Sequence, residues 1–282
     1  MLEGVRPGLH WRMAGRPAIA ANVVALAALM FSTGAPVRGA AAPVDAPATW
    51  TFNVYDQRAV RWQDPDLTAC TAASTEMMLN MIFLGGDVEA GVDAASPRGL
   101  FPTALLWRPN TTYAQQETIL AYARANMTMS LSSAGTDPHG WRNALNYYGW
   151  GSMSAGVYED SAYSSLDAAA KAVVVSLARY HRPVGVLSRA GRHSQIVNGY
   201  TVMGDDPRVG NDFTVVGVYV TDPLRSDATR NTWMSLRNWQ SGPTDLRFTP
   251  YLETDSPYVD RIDGRVGKTE WYERWVIIDA VR

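Results

Sequence analysis

The residue best suited to covalent chemistry is Cys70, the single cysteine in the 282-residue chain. It is followed by the run 76–84, which is dense in strong helix formers, and then by Gly85-Gly86, so the sequence predicts a buried helix closed by glycine with Cys70 in its first turn. With Thr68 as the N-cap, backbone N–H groups and the positive end of the helix dipole would face the sulfur. That environment favours the thiolate, the nucleophilic form of cysteine.

A cysteine nucleophile also needs a base and a third group that orients the base. His193 begins one predicted strand and Asp222 ends the next, so neighbouring antiparallel strands would bring the carboxylate to one imidazole nitrogen and leave the other for Cys70. Gln63, upstream of the cysteine, could donate a side-chain N–H to the oxyanion of a tetrahedral intermediate, beside the backbone N–H of Cys70. Gln57 is the alternative donor.

Each of these residues also has a purely structural interpretation. A free cysteine is often a small buried hydrophobe, a histidine in a strand is often only a hydrogen-bonded group, and Asp-Pro at the end of a strand is a common turn. The order of the residues along the chain is the stronger signal. It runs from glutamine to a cysteine on a helix and then to histidine and aspartate on strands.

The elements that must position these residues are helices followed by strands. Helices are predicted for the Cys70 segment, for 113–127 with Ile119, Leu120 and Ala123 on its apolar side, for 141–148 ended by Gly149, and for 163–181. Strands are predicted for 50–55, 184–187, 193–200 and 213–221, with a last strand within 270–279. The stretches 85–109 and 225–263 lack clear periodicity. The sequence therefore predicts an α+β fold, with N-terminal helices packed on a C-terminal antiparallel sheet.

The N-terminus has the features of a secretory signal peptide. Arginines at 6, 12 and 16 precede the apolar run 18–31, and small residues follow at 39–42. We expect cleavage near Ala42 or Pro43, a secreted or cell-surface protein and no stable membrane association after cleavage. The alternative is an uncleaved anchor, although the run is short for a membrane span. The domain organisation is then residues 1–42 as signal and lead-in and 43–282 as one domain, whose motifs lie within 50–224 and whose extension is 225–282.

Composition and histidine spacing exclude several other classes of function. The net charge of −2 and a pI near 6.1 provide no basic surface for nucleic acid. The four histidines, His10, His139, His181 and His193, are scattered and do not have zinc-site spacing with the cysteine, so neither a metal nor a cofactor is expected. His139 is interpreted as a solvated or capping residue, and His181 as a helix-end residue. In an oxidising compartment a single cysteine indicates a reactive thiol or an intermolecular disulfide.

The chain resembles the secreted bacterial branch of the C39-like peptidases, a family of the papain-like clan. The matching motifs are 63–74 with Met77, Met78, Leu79 and Asn80, then 182–185, 191–193, 197–200 and 218–223. The resemblance implies a papain-like fold with Cys70 as nucleophile, His193 as base, Asp222 as orienting acid and Gln63 as oxyanion donor. One departure is Thr71-Ala72, where family members often have Gly-Pro.

The function expected from this resemblance is hydrolysis of peptide or amide bonds in a peptide or protein substrate through a thioacyl-enzyme. Two alternatives remain open. A papain-like acyl transferase or amidase would use the same residues. A catalytically inactive papain-like module would instead bind peptide or cell-wall material through aromatic residues, for which the 10 tryptophans are suitable.

Overall fold

The computed structural model describes residues 46–64, 68–85, 114–129, 135–224, 229–242, 246–254 and 270–282. The chain divides into two units, Met1–Asp45 and Ala46–Arg282, and every described residue belongs to the second. The predicted signal segment, and nearly all of the 85–109 stretch, lie outside the described residues. Among the helices that are described, none is long and apolar enough to cross a membrane.

The described part of the chain contains both helices and strands, and most of the strands come after residue 150. The helices are α1 Cys70–Leu84, α2 Ala114–Ala125, α3 Pro138–Trp150, α4 Leu166–Tyr180 and α5 Leu236–Ser241. The strands are β1 Thr49–Asn53, β2 Tyr158–Tyr163, β3 Val184–Ser188, β4 His193–Gly204, β5 Phe213–Thr221, β6 Thr232–Ser235 and β7 Trp275–Ala280.

The seven strands form one sheet in the order β2-β7-β3-β4-β5-β6, with β1 paired to β4. Every strand pair is antiparallel. On one edge β4 pairs with β3 through His193–Val197, and β1 then pairs with Gly199–Met203 of the same strand. The prediction of an α+β fold with an antiparallel sheet is therefore confirmed.

Helices cover both faces of this sheet. Because side chains alternate along a strand, Ile196 packs with the α1 and α3 residues, whereas the adjacent Val197 packs with α4. In β7, Val276 and Ile278 pack on the α1 side and Ile277 on the α4 side. Burying such a side chain stabilises the fold by about 1.5–3 kcal/mol, so both layers hold β4 in place. The site described below lies where α1 meets β4.

Several predicted boundaries are wrong. The N-cap of α1 is Ala69 rather than Thr68, and no side chain caps this helix. Helix α3 begins at Pro138, runs through Gly149 and ends at Trp150. Its C-cap is Gly151, whose φ of 81° is the left-handed value that glycine tolerates. It starts early because the Asp137 carboxylate accepts a hydrogen bond from the Gly140 N–H, which makes aspartate the cap.

The chain after residue 150 also differs from the prediction. Residues 158–163 form the unpredicted strand β2, so the following helix starts at Leu166. The stretch 225–263 contains β6 and α5, which showed no clear periodicity in the sequence. The last strand, β7, lies between β2 and β3 inside the sheet. The end of the chain is therefore part of the scaffold.

Candidate active site

Helix α1 places Cys70 at its N-terminus, directly against β4. Cys70 is the first residue of the helix, and its side chain is half-buried. One turn later, Ser74 Oγ lies 3.0 Å from Ser194 Oγ of β4, and both hydroxyls are buried. The first backbone N–H groups of a helix have no partner within the helix, so they are free to stabilise negative charge near the sulfur.

His193 is held at the start of β4 by a tight turn. The turn is a 3-10 helix, Arg189–Gly191, in which Ala190 and Gly191 have φ values of 60° and 94°. Tyr251, from the C-terminal extension, packs its ring so close to Gly191 that a Cβ there would lie 2.6 Å from a ring carbon. Glycine is therefore required at this position both for its backbone angle and for space.

The imidazole of His193 is fixed by Asp222, one residue beyond the end of β5. His193 Nε2 lies 3.0 Å from Asp222 Oδ1 and 2.9 Å from Asp222 Oδ2. The Leu224 N–H donates to Oδ1 at 2.8 Å, and Gln195 Nε2 donates to Oδ2 at 2.8 Å. Histidine and aspartate are both almost fully buried, so their contact is protected from water.

The register of the sheet explains why these groups meet. Ile196 of β4 is paired with Thr221 of β5, so the next positions on the two strands, Gln195 and Asp222, also face each other. His193 lies two residues before Gln195 and hence on the same face of β4. Gln195 was missed in the sequence. The period-two relation to His193 was the signal that could have identified it.

The thiol of Cys70 is hydrogen-bonded to the His193 imidazole. Since Nε2 is turned to Asp222, the nitrogen that faces the sulfur is Nδ1. The structure therefore brings three of the predicted residues, Cys70, His193 and Asp222, into one connected chain of contacts.

These contacts set the charge of the site. Burial by itself would raise the pKa of the Cys70 thiol, but the hydrogen bond and positive charge of His193 lower it below its ordinary value. For His193, burial opposes the charged form, but hydrogen bonds to Asp222 and Cys70 and the two negative charges raise its pKa to about 9. Asp222 has its pKa lowered because the His193, Leu224 and Gln195 donors outweigh its burial. The contacts therefore favour the thiolate form of Cys70 and the imidazolium form of His193.

Ser194 contacts Cys70, and the sequence did not predict this contact. Both its hydroxyl and its backbone N–H hydrogen-bond to Cys70, and both lower the pKa of the thiol. Its position beside His193 was the available signal, but the neighbour of a strand residue normally faces the other side of the sheet. The contact arises because Cys70 lies at the end of β4, within reach of both residues.

Of the two predicted oxyanion donors, Gln63 lies at the site and Gln57 does not. The Gln63 N–H donates to the carbonyl of Pro223 at 2.8 Å, next to Asp222, and its side chain is half-buried. Gln57 opens a separate 3-10 helix, Gln57–Ala59, and is exposed. Beside this region, the Arg230 guanidinium stacks over the ring of Trp62 at 4.3 Å, where it makes a cation–π contact.

The other described histidines have structural surroundings. His181 is the C-cap of α4 with a φ of 54°, so the prediction of a helix-end residue is confirmed. The prediction for His139 is wrong, because its Nδ1 lies 3.3 Å from Asp160 Oδ2 and its ring packs edge-on against Trp271. The cap of that helix is Asp137.

His139 belongs to a group of possible metal ligands, but the Asp160 carboxylate in that group already has protein partners. His139, Asp160 and the exposed Glu270 each place one ligand atom within 4.8 Å of the others. Arg142 forms an ion pair with Asp160 Oδ1 at 2.9 Å, and the indole of Trp271 donates to Asp160 Oδ2 at 3.0 Å. Because both carboxylate oxygens have cationic or N–H partners, this group is an ion-pair cluster that ties α3 to β2.

Comparison with protein-family models, with curated proteins and with solved structures found no match to this chain.

Proposed function

We propose that the protein is a cysteine hydrolase that cleaves peptide or amide bonds through a thioacyl-enzyme. The observation that supports this most directly is the contact chain from Cys70 through His193 to Asp222, with the thiol at the start of a helix. A nucleophile, a base and a group that orients the base are the three parts that such catalysis needs. They come from distant positions in the chain and meet in a buried site.

In the proposed reaction, the Cys70 thiolate attacks the carbonyl carbon of the scissile amide, and the carbonyl oxygen becomes an oxyanion. The backbone N–H of Cys70 and the side-chain amide of Gln63 donate to that oxygen. The C–N bond breaks as the His193 imidazolium gives its proton to the leaving amine, which leaves a thioester on the sulfur. His193 then takes a proton from water, the hydroxide attacks the thioester, and the acid product departs as the thiolate re-forms.

Asp222 has an orienting role in this proposal. Its bond to Nε2 directs Nδ1 at the sulfur and stabilises the imidazolium, while Gln195 and the Leu224 N–H hold the carboxylate. A helix that carries the nucleophile, packed on antiparallel strands that carry the base and acid, is the arrangement expected for a papain-like fold. Together with the motif resemblance, it supports assignment to the C39-like peptidases.

We further propose that the hydrolase acts outside the cytoplasm on peptide or protein substrates. The basis for export is the sequence pattern of residues 1–42, and an exported single cysteine agrees with a reactive thiol. An acyl transferase would use the same residues and differ only in the acceptor of the acyl group.

The test measures turnover of fluorescein-labelled casein and of a fluorogenic peptide library by the purified protein, by Cys70→Ala and by His193→Ala. We expect wild-type turnover, loss of turnover in both variants and, in mass spectra of the quenched reaction, an acyl adduct on Cys70. The thiol should also react with iodoacetamide faster than free cysteine near pH 7. Adding glycinamide as an amine acceptor distinguishes hydrolysis from acyl transfer, because only a transferase would form acylated glycinamide.

A wild-type protein without turnover or adduct, whose thiol reacts only after denaturation, would show that the proposal is wrong. Cys70 would then be a buried structural residue, and a peptide-binding module would be the better interpretation.

A further inference from the structure

A single buried amide on α2 holds both neighbours of Gln63. Gln116 Oε1 accepts a hydrogen bond from the backbone N–H of Asp64 at 2.9 Å, and Gln116 Nε2 donates to the carbonyl of Trp62 at 2.7 Å. Gln116 is only 3% exposed, so water cannot readily replace these bonds. Since the two ends of one planar amide bind the residues on either side, the backbone at Gln63 is held in one orientation.

Glu76 of α1 determines which way this amide points. Its Oε2 lies 3.5 Å from Gln116 Nε2, and its Oε1 lies 3.4 Å from Arg61 Nε. A rotated Gln116 amide would turn its oxygen toward both the Glu76 carboxylate and the Trp62 carbonyl, so rotation is disfavoured. Glu76 lies six residues beyond Cys70 on the same helix. The helix that carries the nucleophile therefore also anchors this loop.

The other side of the loop is attached to the segment directly after β5, which carries the orienting acid. The Gln63 N–H donates to the carbonyl of Pro223 at 2.8 Å, directly after Asp222. The backbone around Gln63 is thus joined to α1, α2 and the end of β5. The donor and the Cys-His-Asp contacts share the same supports.

We propose that Gln116 is a positioning residue for Gln63, the oxyanion donor, and that Glu76 keeps the Gln116 amide in the required orientation. This inference rests on the proposed function. Gln116 does not touch the reacting atoms. It acts by holding the backbone of residues 62–64, which lies against Pro223 and so sets where the Gln63 side chain can be placed.

The role of Glu76 in orienting Gln116 can be distinguished from a contribution to stability, because its charge does not stabilise the fold above pH 7. Burial raises the pKa of Glu76 to about 7 although Arg61, the charged group that faces it, and the Gln116 amide both lower it. A carboxyl with a raised native pKa binds a proton more tightly in the folded state, so its contribution to stability falls as pH rises from its ordinary pKa to about 7. Glu76→Gln, which removes this charge, should be at least as stable as wild type above pH 7.

The experiment is a double-mutant cycle in the full-length protein, with Gln63→Ala, Gln116→Leu and the double variant. The readouts are kcat and KM for a fluorogenic peptide and the rate of Cys70 alkylation by iodoacetamide, which needs no oxyanion donor. Gln63→Ala should lower kcat by about 100-fold, the usual loss for one oxyanion donor. Gln116→Leu should lower kcat by about 10-fold with KM little changed, since small misplacement of a positioned group is costly.

The comparison of the single variants with the double variant shows whether Gln116 is a positioning residue or only a structural one. If Gln116 acts through Gln63, Gln116→Leu should have almost no further effect in the Gln63→Ala background, and the alkylation rate should stay within about twofold of wild type. Equal losses in both backgrounds, or a parallel loss of alkylation, would overturn the inference and make Gln116 a structural residue. Glu76→Gln provides the same test if Gln116→Leu does not fold.

For Glu76→Gln we expect a kcat reduced by about threefold or more at pH 8 and no loss of thermal stability at that pH. In the Gln63→Ala background, the same substitution should not lower kcat further. Wild-type kcat in this variant would remove Glu76 from the network. Absence of turnover by the wild-type protein, or turnover by Cys70→Ala, would instead show that the proposed function itself is wrong.

Discussion

Replacing Asp222 with asparagine tests the central contact of the site at little steric cost. The carboxylate accepts hydrogen bonds from His193, Gln195 and the Leu224 N–H. An asparagine can still accept the Leu224 N–H through Oδ1, but its amide nitrogen would face His193 Nε2 and could only donate to it. The neutral imidazole would then carry its proton on Nδ1, toward the sulfur, where it cannot accept the proton of the Cys70 thiol.

The size of the Asp222→Asn effect can be estimated from the raised pKa of His193. A His193 pKa raised from 6.5 to about 9 corresponds to about 3 kcal/mol in favour of the imidazolium. Asp222 and Cys70 both contribute to this preference, against burial. If Asp222 supplies about half, its loss weakens the equilibrium constant that favours the imidazolium by about 10-fold. Turnover should fall further, by about 10²- to 10⁴-fold, because the wrong tautomer predominates.

The assay is the pH dependence of iodoacetamide alkylation at Cys70, measured from pH 4 to 10 on wild type and Asp222→Asn. The wild-type thiol should react well below the ordinary pKa of cysteine, whereas the variant's profile should move to higher pH. Thermal unfolding serves as the control for folding. An unchanged alkylation profile in a folded variant would refute the argument that Asp222 holds the imidazolium.

Three further substitutions test other parts of the structure. Ser194→Ala removes a donor to the Cys70 sulfur, so alkylation at pH 6 should slow by about 10-fold, and an unchanged rate would exclude this contact from thiolate stabilisation. Burial raises the pKa of Asp279 to about 7, so its contribution to stability falls between its ordinary pKa and pH 7; Asp279→Asn should therefore raise the Tm at pH 8 but not at pH 4. Gly191→Ala, at a φ of 94° against an aromatic ring, should cost about 1–3 kcal/mol in urea unfolding. Its control, Gly156→Ala, has a φ of 65° with no atom within 4 Å, so a loss as large as that of Gly191→Ala would contradict the steric argument.

Local patterns in the sequence were sufficient to predict most of the elements that carry the candidate residues. The helix after Cys70 and the strands that contain His193 and precede Asp222 follow from helix formers, glycine and alternating apolar residues, which act between neighbours in the chain. The amphipathic helix with Ile119, Leu120 and Ala123 was predicted for the same reason, and all three are buried. These elements are stabilised by interactions that can be read from a short window.

Contacts between distant parts of the chain determined the features that local sequence patterns could not predict. Strand β2 is rich in polar residues and is ordered by pairing with β7, more than 100 positions away, while β7 itself enters the middle of the sheet. Ser194 reaches the thiol because α1 begins against the start of β4, and Gln116 is buried because the loop around Gln63 needs partners for its backbone groups. A buried backbone N–H or carbonyl must find a hydrogen bond, but the partner may come from any part of the chain. The types and order of the candidate residues were therefore determined by the sequence, whereas their charge states and supports arose only when distant segments packed together.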